Sequence, residues 1–196
     1  YDSGAGGSKV FGSMNNATNN PQCSLSNGIL TLQPGSTICT LPQNTPGGTR
    51  GSLGAKTGGL ITTGIWQTRC RWPGSGDAVT DWSAVWLLTV NGKRELDYAE
   101  AADWSGGAHP LSTTYHPADG STGTPNVFEP PGNWADGNFH DHVIVITQTE
   151  FWVVWDGVPF GPYAQKEAPQ PMFCILTCGA GTGALEIESN QAWLLG

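Results

Sequence analysis

Short apolar or alternating runs, separated by glycine, proline and asparagine, recur along the whole chain. Gly28-Ile29-Leu30-Thr31-Leu32 has the β-branched alternation of a strand and is opened by the Asn27-Gly28 turn signal. Gly64 to Trp72 alternates again. Ile65, Gln67, Arg69 and Arg71 lie on one side, and Trp66, Thr68, Cys70 and Trp72 on the other. Trp82 to Val90 is a nearly continuous apolar run, the pattern of a strand buried on both faces. Further strands are predicted over 112–116, 142–147, 151–155, 173–177 and 184–187, with hairpin signals at Asn91-Gly92 and Asp156-Gly157. Residues 1–22 read as a loop or a loosely attached first strand, 40–59 as irregular, and 117–137 as the longest loop. This spacing, with no internal repeat and no linker, predicts a single all-β domain over residues 1–196, a sandwich or a barrel.

Composition narrows the picture. Charged residues make up only 12% of the chain, and long helical patterns are missing. The net charge of −8, with eight scattered lysines and arginines, excludes a nucleic-acid partner, because phosphate binding needs a basic patch. No apolar stretch of about 18 residues predicts a membrane-spanning helix. Tyr1 follows neither Met nor a signal-like segment, so the chain reads as a mature or excised fragment. Among the five cysteines, Cys23 and Cys39 could pair, as could Cys174 and Cys178, leaving Cys70 as a buried thiol. That usage leans towards an oxidising compartment.

Glu95-Leu96-Asp97-Tyr98-Ala99-Glu100 concentrates three carboxylates in a chain poor in charge. Cleavage of a glycosidic bond usually needs two carboxyl groups, one as acid/base and one as nucleophile or base. In a regular strand Glu95 and Asp97 share a face while Glu100 points away. One β-bulge at Tyr98-Ala99 would bring Glu100 back. A solvated acidic strand end is the alternative that the spacing also admits.

Nine tryptophans exceed what a core of this size requires, and flat indole faces stack on sugar rings. Trp86 reads as core, with whichever of Trp152 and Trp155 faces inward. Trp72, Trp82, Trp104 and Trp134 lie near loops or turns and are candidates for lining a cleft. His116 is the histidine best placed to orient a carboxylate or bind a sugar hydroxyl. His140 and His142 lack completing metal ligands at an obvious distance, and Cys174-x-x-x-Cys178 has no partner pair, so neither metal nor cofactor is expected. No Gly-x-Ser-x-Gly elbow is present.

Taken together, several blocks resemble glycoside hydrolase family 16. The hexamer is similar to that family's bulged Glu-x-Asp-x-x-Glu motif, as in its laminarinase-like and galactan-cleaving branches. Gly64-Ile65-Trp66-Gln67-Thr68-Arg69-Cys70-Arg71-Trp72-Pro73 resembles the strand entering the cleft, and Asp81 to Leu88 the stretch before the catalytic strand. Phe139-His140 and Trp155-Asp156-Gly157-Val158-Pro159 follow in the family's order. The resemblance spans residues 26–190. It implies a concanavalin A-like β-jelly roll of two antiparallel sheets with a concave glycan cleft. It also implies Glu95 as nucleophile, Glu100 as acid/base and Asp97 assisting between them. The implied activity is that of a retaining endo-glycosidase on a β-1,3-glucan or a galactan-type polysaccharide, in a secreted, monomeric protein. Departures are present: Thr68 replaces a common Glu, Ser83 a Pro and Val85 an aromatic, while Tyr98 puts an aromatic inside the bulge. The second reading is a noncatalytic glycan-binding or adhesin module on a secreted assembly or virus particle. A polysaccharide lyase is a third, poorly served by so few arginines.

Overall fold

The computed structural model describes residues 9–10, 23–39, 60–73, 83–89, 91–101, 111–121, 124–127, 134–179 and 183–195. Among them there are strands and turns and no helix. The first strands are β1 (Lys9–Val10), β2 (Cys23–Ser26), β3 (Ile29–Leu32), β4 (Thr37–Cys39) and β5 (Gly64–Arg71). The middle of the chain contributes β6 (Ser83–Thr89), β7 (Glu95–Ala101), β8 (Leu111–His116) and β9 (Thr124–Val127). The remainder contributes β10 (His140–Ile146), β11 (Glu150–Trp155), β12 (Val158–Ala164), β13 (Met172–Thr177) and β14 (Leu185–Leu194).

Two seven-stranded sheets result, in the orders β1-β4-β13-β6-β7-β8-β9 and β12-β11-β10-β5-β14-β3-β2. Pairing is antiparallel apart from β1 with β4, which run parallel. Asn27 and Gly28 (φ 50° and 80°), and Asp156 and Gly157 (φ 43° and 83°), take the left-handed conformations that two-residue hairpins need. These are the turns the sequence marks.

The interior follows the predicted alternation of β5. Trp66, Thr68 and Cys70 are buried, as is Trp72 just beyond, whereas Ile65, Gln67, Arg69 and Arg71 remain partly exposed. β6 is buried on both faces, as its apolar run predicts. Val85 and Leu87 enter the core between the sheets. Leu88, with Phe173 and Ile175 of β13, forms a second cluster on the outer face, against which Leu60 and Trp86 pack.

Several expectations change. β9 lies inside the span 117–137 expected as loop, and β14 continues past residue 187 through a bulge at Glu188. β12 escapes prediction because Pro159 and Pro162 break its pattern. It is an edge strand, where a missing N–H is tolerated. Cys174 and Cys178 form no disulfide. Four extended residues separate their Cα atoms by roughly 13 Å, beyond the ~7 Å limit for a bridge. Instead Cys178 Sγ lies 3.6 Å from the Gly183 carbonyl and Cys174 Sγ 3.8 Å from the Tyr98 hydroxyl. Cys70 is a buried thiol whose pKa burial pushes upward. The Cys39 side chain, and with it the Cys23–Cys39 pairing, lies outside the described residues.

Thr68 and Tyr98 meet in the interior. Thr68 Oγ1 and Tyr98 Oη are 2.9 Å apart, a hydrogen bond that crosses from one sheet to the other. The threonine hydroxyl gives the buried phenol a partner.

Candidate active site

β7 lies between β6 and β8. Against β8, Glu95 pairs with His116, Asp97 with Thr114 and Glu100 with Ser112, so Tyr98 and Ala99 together oppose Thr113 alone. Against β6 the register slips at the same place: Asp97 faces Trp86, Ala99 faces Val85 and Glu100 faces Ala84. This is the bulge that the hexamer spacing requires. Tyr98 and Ala99 both enter the core at 0% exposure, and the Thr113 hydroxyl donates to the Tyr98 carbonyl at 3.4 Å. Glu95, Asp97 and Glu100 consequently stand on one outer face.

Around them the cross-strand rows are legible from the register. Trp86, Asp97 and Thr114 form the middle row, with Leu88, Glu95 and His116 on one side and Ala84, Glu100 and Ser112 on the other. His116 Nε2 lies 3.2 Å from Asp97 Oδ2 and 3.7 Å from Glu95 Oε1. Thr114 Oγ1 donates to Glu100 Oε2 at 3.5 Å. Asp97 is only 3% exposed, and its Oδ2 is buried against His116 Nε2. Ser112 Oγ is buried and, among the described residues, has no hydrogen-bond partner.

Burial and crowding set the protonation. Burial raises the Asp97 carboxyl to about 6 against the pull of His116. Burial also raises Glu100, with the Asp97 charge adding to it, to about 7. Glu95 is raised by burial and pulled back by His116. The bond to Asp97 raises His116, favouring its cation. The row therefore has a proton-holding end at Glu100 and a cation-supported end at Glu95. Glu95, Asp97 and His116 each offer a ligand atom within 4.8 Å of the others, so the same trio has the spacing to take a divalent ion.

Of the expected site residues, the structure brings together Glu95, Asp97, Glu100 and His116. It moves Trp72 and Trp134 into the interior, at 3% and 2% exposure, where they pack edge to face at 5.6 Å. Trp72 Nε1 donates to Nε2 of buried His142 at 2.8 Å, and burial holds that imidazole neutral, its pKa lowered to about 3. Neither indole offers a face to a sugar, and the expectation that they line a cleft is corrected. Trp82 and Trp104 lie outside the described residues. Conversely, Trp86 is not core: it is half-buried on the carboxylate face, beside Asp97, with Nε1 donating to Thr177 Oγ1 at 3.0 Å. Ser112 and Thr114 join the site as well, beside Glu100 and Asp97, though no motif marks them. Their period-two spacing to His116 is the signal, readable only once β8 is known to pair with β7.

An all-β sandwich with three carboxylates on one bulged strand defines the fold class and the site. No protein-family model and no curated protein matches the sequence. Solved structures do match. The catalytic domain of an endo-1,3-β-glucanase (laminarinase) from Thermotoga petrophila is 17% identical over 88% of this chain and 80% of its own, with a TM-score of 0.55. A family 16 glycoside hydrolase of the Bacteroides ovatus mixed-linkage glucan locus, solved with an oligosaccharide product, is 14% identical over 87% and 84%, with a TM-score of 0.59. An endo-β-galactosidase from Clostridium perfringens that releases GlcNAcα1-4Gal is 14% identical over 87% of this chain and 52% of its own, with a TM-score of 0.58. The chain has the jelly-roll fold of the glycoside hydrolase family 16 laminarinases and endo-glucanases.

Proposed function

We propose that this protein is a retaining endo-glycosidase that hydrolyses a neutral β-linked polysaccharide of the glucan or galactan type. The observation that carries the reading is the bulge at Tyr98-Ala99, which turns three unequally buried carboxylates onto one face. Glu95 is the nucleophile. It attacks the anomeric carbon as protonated Glu100 gives its proton to the departing glycosidic oxygen, leaving a glycosyl ester on Glu95. Glu100, now ionised, then takes a proton from water; the water oxygen attacks the same carbon and Glu95 leaves. A Glu100 pKa raised to about 7 suits a group that must give and then take a proton near neutrality.

Asp97 sits between the two, buried, with its charge tuned by the His116 ring against its Oδ2. Trp86 offers the apolar surface beside it. The preference for a neutral glycan follows from charge: among the described residues Arg69 and Arg71 lie on the far sheet and Arg94 points inward, and the cationic group acting on the three carboxylates is His116. A substrate of polymer size supports a secreted protein, and we propose that it acts as a monomer.

Reducing-sugar release on β-1,3-glucan, mixed-linkage glucan, agarose and other galactans tests the proposal. The wild type is expected to cleave one of them with the anomeric configuration retained, and Glu95→Gln and Glu100→Gln to bind it without cleaving. Wild-type release by either variant overturns the roles. Binding by the wild type with no cleavage of any polymer makes the protein the glycan-binding module instead.

A further inference from the structure

Behind the carboxylate face lies a buried polar cluster that the proposed chemistry does not use. Arg94 precedes Glu95 and Tyr115 precedes His116, so alternation turns both inward beneath the Glu95–His116 pair. Arg94 is 0% exposed, with its guanidinium carbon 5.1 Å from the centre of the Tyr115 ring. Its Nη1 donates to the Ala168 carbonyl at 3.1 Å and its Nη2 to Gln165 Oε1. Its Nε is buried 3.9 Å from Glu167 Oε1 and makes no hydrogen bond among the described residues.

Glu167 ties this cluster to the site. Its Oε1 accepts from the Tyr115 hydroxyl at 3.0 Å and from the Ala118 backbone N–H at 2.9 Å. Those two residues bracket His116 and Pro117. Glu167 belongs to the segment that passes from β12 in one sheet to β13 in the other. Two residues earlier, the backbone N–H of Gln165 donates to the Thr149 carbonyl at 2.9 Å and its Nε2 to the Thr147 carbonyl at 2.7 Å, in the β10–β11 turn. One short segment thus anchors to the far sheet and grips both flanks of His116.

We infer that Glu167 is a positioning residue: with Arg94 behind it, it fixes the β8 end so that the His116 ring stands between Glu95 and Asp97. The inference rests on the glycosidase reading for its kinetic consequence but not for its geometry. The charged groups facing His116 are Glu95 and Asp97 on β7, with Glu100 beyond; Arg94, Tyr115 and Glu167 lie behind it. A second contribution from Glu167 is countercharge for Arg94, and two variants separate the two. In Glu167→Gln the amide oxygen can still accept from Tyr115 and Ala118 while the charge is gone. Glu167→Ala removes both.

The test compares wild type, Glu167→Gln and Glu167→Ala, each first shown to be folded by circular dichroism and thermal melting. On the polysaccharide that the wild type cleaves, Glu167→Ala is expected to lower kcat about tenfold or more with KM within about twofold, since misplacing a site group costs rate rather than binding. Glu167→Gln is expected to recover most of that loss. In parallel, imidazole ring NMR signals are recorded, with His116→Asn assigning the relevant one. The His116 signal should shift in Glu167→Ala and return in Glu167→Gln, while those of His140 and His142 stay in place. Equal behaviour of the two variants, or an unmoved His116 signal in Glu167→Ala, overturns the inference. If the wild type cleaves no polysaccharide, the glycosidase reading fails while the NMR comparison still decides the positioning.

Discussion

Both sheets carry charged residues on their outer faces, and they treat that charge in opposite ways. On the β5 face, Arg69 Nε donates to Glu188 at 2.6 Å and its Nη1 contacts Asp141 at 3.0 Å, while Arg71 pairs with Glu186. Asp141 also accepts from Gln67 Nε2 at 2.8 Å. Asp156 is bonded to His140 at 2.6 Å and to the Asp141 N–H at 2.8 Å, which together hold its pKa below the ordinary carboxylate range against the effect of burial. On the β7 face three carboxylates share one histidine, and burial drives their pKa values upward. Partnered charge on a strand is a solvated face. Crowded, half-buried charge with too few partners costs stability, and that cost is the mark of a site.

Breaking the crowded face should have the largest effect. Glu95→Gln or Glu100→Gln is expected to lower kcat by about 10²–10⁴-fold, the usual worth of a positioned acid or base, measured on whichever polymer the wild type cleaves. Next comes His116→Asn, with an expected loss on the order of tenfold. Without the imidazolium the Glu95 and Asp97 pKa values rise further, so the acid limb of the pH–rate profile should move to higher pH. An unmoved limb would separate His116 from the carboxylates.

Effects on stability are smaller and differ in sign between faces. Tyr98→Phe strands the Thr68 hydroxyl and should cost about 1–3 kcal/mol, read by urea unfolding. For Glu100 the folded pKa of about 7 lies above the ordinary glutamate value. Its favourable contribution is therefore complete at low pH and is lost as pH rises through about 7. Glu100→Gln should then raise Tm at pH 8 by about 2–4 °C and leave it nearly unchanged at pH 4. On the paired face, where Arg71 is 39% exposed, Arg71→Gln should change stability by no more than about 1 kcal/mol. Activity should be untouched, and a large loss there would erase the contrast between the sheets.

Legibility in the sequence followed the range of the forces involved. The hairpins at Asn27-Gly28 and Asp156-Gly157 are local backbone chemistry and were readable. So was the bulge, because the odd spacing of Glu100 makes sense only with an extra residue. β9 and β12 were hidden by proline, and the 174–178 cysteine pairing failed because spacing in sequence says nothing of an extended backbone between. The tryptophans misled in both directions. Trp72 and Trp134 stand near loops in the sequence but are drawn into the interior by His142 and each other, whereas Trp86 lies within an apolar run yet faces the carboxylates.

The sequence by itself determined the alternation of the strands, the position of the turns and the identity of the three carboxylates that share a face. Those properties depend on neighbours within a few residues and on the period-two geometry of a strand. Only the tertiary structure decided which of the two faces of β6 meets the opposite sheet and which lies beside Asp97. It alone brought His116 between Glu95 and Asp97, joined Thr68 to Tyr98, and set Glu167 behind β8. A strand's period divides its residues into two sets, but what each set faces depends on partners far along the chain.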